Sequence, residues 1–236
     1  MRLKTERLIK KWLKYGFFAA LAFSIWKPEY IKRAVYPHIY GKKVQTALKI
    51  SDHDVFTPLA DNEKIAMQQY YEGEKIEFIP QEKYSITAKI GILERYGGWW
   101  ESFYHGHDKN RMIYNKFAPI DLALFHGLEQ NADFKKCVSH EYRLLWDKCN
   151  MKREYYNNYH IIPATKNIRR ATETLIQGDV VQVEGILMNV KFPTYEMKTG
   201  TSHGMIHQDQ FAGGLYTGMC FITYVQRLVV NGYVYE

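Results

Sequence analysis

The stretch HGMIHQDQFAGGLYTGMC, from His203 to Cys220, gathers the side chains best suited to chemistry. Two imidazoles stand four residues apart, His203 and His207, with the Asp209 carboxylate two further on and the Cys220 thiol at the end. Two imidazoles and a carboxylate form a facial ligand set for a divalent metal, and a water activated there would give a hydrolase. The four-residue spacing suits a helix, but a metallopeptidase helix needs Glu directly after the first histidine, where this chain has Gly204. Gly200, Gly204, Gly213, Gly214 and Gly218 also disfavour a helix here, so the stretch reads as a glycine-rich connection into a strand that begins near Cys220.

His160, set between Tyr159 and two isoleucines, joins His203, His207 and Asp209 as the candidate polar site. The plainer reading of His160 is a hydrogen-bonded core or rim histidine. The apolar surroundings of Cys220 favour a buried, inert thiol over a nucleophile served by His160. His105 and His107 alternate and would share a face on a strand, yet FYHGHDKNR reads as an exposed loop. The chain carries no Walker loop, GxGxxG, GxSxG or HExxH, and Cys137, Cys149 and Cys220 lack zinc-like spacing. No cofactor is expected. Cys137 and Cys149 pair only in an oxidising compartment; otherwise all three cysteines are small core residues.

What places these groups begins with an uneven charge distribution. The chain has 236 residues and a net charge of +7. Eleven basic and two acidic side chains lie in residues 1–43; the other 193 residues carry 21 basic and 23 acidic ones and are close to neutral. A protein that neutralises phosphates needs its positive charge on the folded binding face, so nucleic acid is not the expected partner. A membrane is.

Within the basic segment, WLKYGFFAALAFSIW runs from Trp12 to Trp26. A helix of that length spans about 22 Å, short of the roughly 30 Å hydrocarbon core. Snorkelling by Lys14 and Lys27, and interfacial placement of Trp12, Tyr15 and Trp26, offset the shortfall. Phe17, Phe18, Leu21 and Phe23 supply the apolar middle. A single-pass anchor is the first expectation, against an interfacial helix, a signal peptide cleaved near Ala20–Ala22, or a buried helix. With the N-terminus cytoplasmic, the globular part lies in the periplasm, at the inner membrane.

Residues 44–74 read as a connector and residues 75–236 as the globular domain. YSITAKIGI alternates cleanly and predicts a strand with Tyr84, Ile86, Ala88, Ile90 and Ile92 on one face. APIDLALFHGLEQ predicts a short helix capped by Asp121, and VSHEYRLLWDK a strand. ATKNIRRATETLIQGD predicts a helix with Thr165 as its cap. In VVQVEGILMNV the apolar parity changes at Gly185, as a glycine bulge would produce. CFITYVQRLVVNGYVYE predicts a long strand, an Asn231-Gly232 turn and a short return. The expected fold is α+β: an N-terminal anchor helix, then a β-rich, OB-like, partly closed barrel with short helices.

The blocks APIDLALFHGLEQ, NNYHIIPATKNIRRA, GDVVQVEGILMNV and TGMCFITYVQRL, in that order, resemble those of a group of bacterial membrane-anchored or exported proteins without an assigned activity. In that group the last block ends in cysteine followed by glutamate; here Phe221 follows Cys220. The resemblance implies an envelope location and supplies no mechanism. The expected function is a membrane-anchored, non-enzymatic binding or scaffold component of an envelope-associated assembly, with other envelope proteins as partners. The alternatives are a hydrolase or metal-dependent enzyme using the His/Asp cluster, and an OB-like nucleic-acid-binding module.

Overall fold

The computed structural model describes residues 28–44, 47–71, 73–96, 116–127, 156–194, 196–202 and 219–236. The expected anchor residues Trp12 to Lys27, the histidines His105, His107, His203 and His207, Asp209, Cys137 and Cys149, and the strand expected over VSHEYRLLWDK lie outside these. Among the described residues no helix is long and apolar enough to cross a membrane.

The fold is mixed α+β: the described residues form one dominant sheet and two α-helices. Helix α1 (Pro28–Tyr40) leads into the two-residue strand β1 (Lys42–Lys43). Then come β2 (Val55–Thr57), a 3-10 turn at Asp61–Glu63, and β3 (Met67–Tyr71). The stretch that reads as a connector thus supplies strands: β1 pairs with the C-terminal strand, while β2 and β3 pair with the next strand in sequence. Within DNEKIAMQQYY only Asp61–Glu63 forms a 3-10 turn, because Met67–Tyr71 finds a strand partner.

The organising element is β4 (Glu74–Arg95), 22 residues long. A straight strand of that length would measure about 73 Å, more than the diameter of a chain this size, so it must bend. Its register shifts between Pro80 and Glu82 against β7 (Val180–Lys191), and between Ile90 and Ile92 against β5 (Ile120–Phe125). Proline has no N–H for the ladder and belongs at such an irregularity. At the second shift, a Cβ on Gly91 would lie 2.0 Å from the Phe125 ring, so glycine lets that ring approach the strand this closely.

β5 continues antiparallel to β6 (Tyr156–Pro163). After β6, helix α2 (Lys166–Thr172) begins with Thr165 accepting from the Ile168 N–H, as its sequence foretells, and the chain turns at Gly178 (φ +91°) into β7. β8 (Glu196–Met197) pairs antiparallel with the end of β7, and β9 (Met219–Val230) pairs in parallel with β6 and antiparallel with β7. β10 (Tyr233–Tyr235) returns along β9 through Asn231 and Gly232, both at positive φ as a tight hairpin turn requires. Strands β4, β5, β6, β9 and β7 therefore pair successively, and β7 pairs with β4, so the sheet curls into a partial ring.

The helix expected over APIDLALFHGLEQ is corrected to a strand. All six residues of β5 are buried: Ile120, Leu122 and Leu124 lie in the first core, and Asp121, Ala123 and Phe125 are covered on the opposite face, which a helix with one apolar face would not match. The sheet as a whole carries two cores. One holds Tyr84, Ile86, Leu122, Leu124, Tyr159, Val183, Leu187 and Phe221, closed at one end by Ile168, Ala171 and Leu175 from α2 and the turn after it. The second packs Ile76, Phe78, Ile162, Ile186, Met188, Val190 and Ile222 on the other face. The bulge expected at Gly185 is present as a register shift against β9. The parity change has a further cause: Val181, Val183 and Leu187 stay in the first core, while Ile186, Met188 and Val190 serve the second.

Candidate functional site

Two polar clusters are built into this sheet. The first is centred on Asp54, just before β2. The antiparallel pairing of β2 with Lys83–Ser85 carries the Asp54 carboxylate to the first core. Its Oδ1 accepts from the Tyr84 hydroxyl at 2.6 Å and from Tyr159 Oη at 3.4 Å; its Oδ2 accepts from Asn157 Nδ2 at 2.8 Å. The two phenol oxygens lie 2.5 Å apart beside the carboxylate. His126 brings Nε2 to 3.9 Å from the same carboxylate and Nδ1 to 3.3 Å from the Asp52 carbonyl.

Burial pushes the Asp54 carboxyl above its ordinary range, opposed by the Tyr84 hydrogen bond, the charge of His126 and the bonds from Tyr159 and Asn157. Burial likewise lifts both phenols well above the usual tyrosine value, so they stay protonated donors at ordinary pH. The Tyr84, Tyr159 and Phe221 rings stack at 5.1–5.7 Å between centroids, which locks the two hydroxyls in place.

The second cluster contains the one sequence-nominated site residue that is described. His160 lies opposite Asp121 in the β5–β6 register, and its Nδ1 is 2.5 Å from Asp121 Oδ1. Tyr96 donates to Asp121 Oδ2 at 2.5 Å. A carboxylate only accepts, so Nδ1 carries a proton and donates it to Asp121. Asp121 is therefore no helix cap: it is a buried strand residue that orients a histidine. The same geometry orients general bases and metal-binding imidazoles.

The two clusters occupy opposite faces of β6, because Tyr159 and His160 are consecutive on a strand. No cluster of three metal-ligating side chains occurs among the described residues. Sequence reading missed Asp54, Asn157 and the pairing role of Asp121. Tyr84 stood out only as an apolar ring on the inner face of its strand. Asp54 gave no local signal, since the partners that make it a buried carboxylate are 30 and more residues away. Comparison with family models, curated proteins and solved structures returned no match. The reading of the site therefore rests on its own geometry.

Proposed function

We propose that this chain is a binding or scaffold component of an envelope-associated assembly, held at the inner membrane by residues 1–27 and presenting an OB-type, partly closed barrel to a protein partner. The observation that carries the reading is the junction between the basic segment and the sheet. Lys32 and Arg33 of the basic N-terminal segment belong to α1, and α1 is clasped to the end of the ring closed by α2. Arg33 makes two hydrogen bonds to Asp179, at 2.6 and 2.7 Å, and a third to the Thr174 carbonyl. Lys32 pairs with Glu173, and the Arg170 guanidinium stacks 4.0 Å from the Tyr40 ring centroid. An anchor joined through such a clasp would hold the sheet in a fixed attitude to the bilayer, which suits a scaffold.

The barrel reading draws on the pairing order β4, β5, β6, β9, β7 and back to β4, with β6 and β9 parallel and α2 between β6 and β7. Barrels of the OB type bind partners through the connections after their first and fourth strands. In this chain those connections contain His105 and His107, and His203, His207 and Asp209. Near-neutral charge beyond residue 43 argues for a protein partner over nucleic acid.

The test is deletion of residues 2–27 with Pro28 onward retained. The full chain should fractionate with membranes, and the shortened chain should be soluble with a β-rich far-ultraviolet spectrum and a cooperative unfolding transition. Membrane retention of the shortened chain would overturn the reading. The Asp121–His160 pair favours a second reading, a metal-dependent hydrolase using His160 with His203, His207 and Asp209. Stoichiometric zinc, iron or manganese in the purified full chain, lost in His207→Ala, would favour it over the first.

A further inference from the structure

The face of α1 turned away from the sheet is unlike an ordinary solvated helix surface. Ile31, Val35 and Ile39 repeat every four residues and are 38%, 41% and 60% exposed, an apolar stripe along one side of a 13-residue helix. At 100° per residue the stripe lies opposite Arg33, Pro37 and Tyr40, half-buried residues on the sheet side of the helix, with Lys32 and Tyr36 at its flank. We infer that this stripe is a membrane-contact face, lying in the headgroup region of an anionic bilayer and setting the orientation of the whole domain on it. The inference rests on the reading that residues 1–27 associate with a membrane.

Three observations select a bilayer as the occupant. Ile31 follows Trp26 by five residues, a reach of about 8 Å if helical and about 17 Å if fully extended, so the stripe stays near whatever interface receives that tryptophan. Residues 1–27 carry seven basic side chains and one acidic one, and Lys42 and Lys43 follow α1, with the Lys42 side chain 83% exposed. That charge matches anionic headgroups on both sides of the stripe. Three aliphatic side chains also cover far less than the roughly 800 Å² that each partner of a stable dimer buries. A short aliphatic stripe flanked by lysines is the geometry of an interfacial helix.

The experiment uses the full chain bound to vesicles of phosphatidylcholine containing phosphatidylglycerol, with benzoylphenylalanine placed in turn at positions 31, 35 and 39. Position 70, where Tyr70 is 70% exposed on β3, is the control. Irradiation should give lipid adducts at the three α1 positions and none at position 70. Adducts within the chain or between two chains, or α1 yields no higher than the control, would overturn the inference while leaving the anchor reading intact. If the full chain fails to bind vesicles, both readings fall together. Independently, the triple variant Ile31→Ser, Val35→Ser, Ile39→Ser changes only exposed positions, so it should fold normally and bind the same vesicles about tenfold more weakly. Unchanged binding would count against the stripe.

Discussion

Thr223 lies fully buried on β9, and its hydroxyl has no hydrogen-bond partner. A buried hydroxyl without a partner costs about 1–3 kcal/mol, and valine keeps its shape without that cost. Thr223→Val should therefore raise stability by about 1 kcal/mol in urea unfolding, an uncommon direction for a core substitution. Asp54 offers the opposite case, a polar group whose partners are assembled around it. Tyr84→Phe removes its shortest hydrogen bond and should cost about 1–3 kcal/mol, more than Tyr159→Phe, whose bond to the carboxylate is longer.

The charge state of Asp54 gives a prediction with a definite sign. Burial raises its folded-state pKa, so the contribution of this group is fully present below the unfolded value near 4 and is lost as pH rises through the higher folded value. Stability of the native chain relative to Asp54→Asn should fall as pH rises from about 4 towards neutrality, measured as paired unfolding curves across that range. A difference that grows with pH would contradict the assignment of burial as the dominant cause.

At the scale of elements, one glycine and one clasp govern how the strands and helices fit. A Cβ on Gly185 would come within 2.2 Å of the Tyr224 carbonyl oxygen, where β7 crosses β9 at the bulge. Backbone cannot swing aside as a side chain does, so Gly185→Ala should destabilise the fold by about 3 kcal/mol in denaturant titration. Arg33→Ala strips Asp179, whose side chain is only 5% exposed, of its charged partner and leaves it the Ile176 N–H. Such a loss costs about 2–3 kcal/mol, and a double-mutant cycle with Asp179→Asn should show strong coupling between the two.

Elements also differed in how far they could be read from sequence. The strand at Tyr84, the Thr165 cap, the Gly185 bulge and the Asn231-Gly232 hairpin were legible because each is governed by neighbours within a few residues. Ile120–Phe125 was not, since Leu122 and Phe125 fit helical spacing as well as a strand buried on both faces. Short apolar runs leave that choice to the packing.

On the scale of the whole molecule, the N-terminal segment has two parts with different duties. Residues 28–43 are integral to the domain: α1 holds the turn after α2, β1 pairs with β10, and the Tyr40 ring packs on the first core. Removal of residues 1–43 should lower the thermal midpoint by several degrees relative to removal of residues 1–27, since the Arg33–Asp179 clasp and the edge pairing go with it. Equal midpoints would mean that α1 hangs free of the sheet.

Composition and local pattern by themselves determined that this chain is β-rich, that its net positive charge comes from the first 43 residues beside an apolar run, and where most turns and caps fall. These depend on residue type and short spacing, which sequence records directly. Only tertiary structure decided that the strands form a partial ring, that Asp54 joins Tyr84, Tyr159 and Asn157, and that Asp121 orients His160. Those contacts join residues 30 to more than 100 positions apart, and a single carboxylate in a sequence has the same appearance whether water or two phenols surround it.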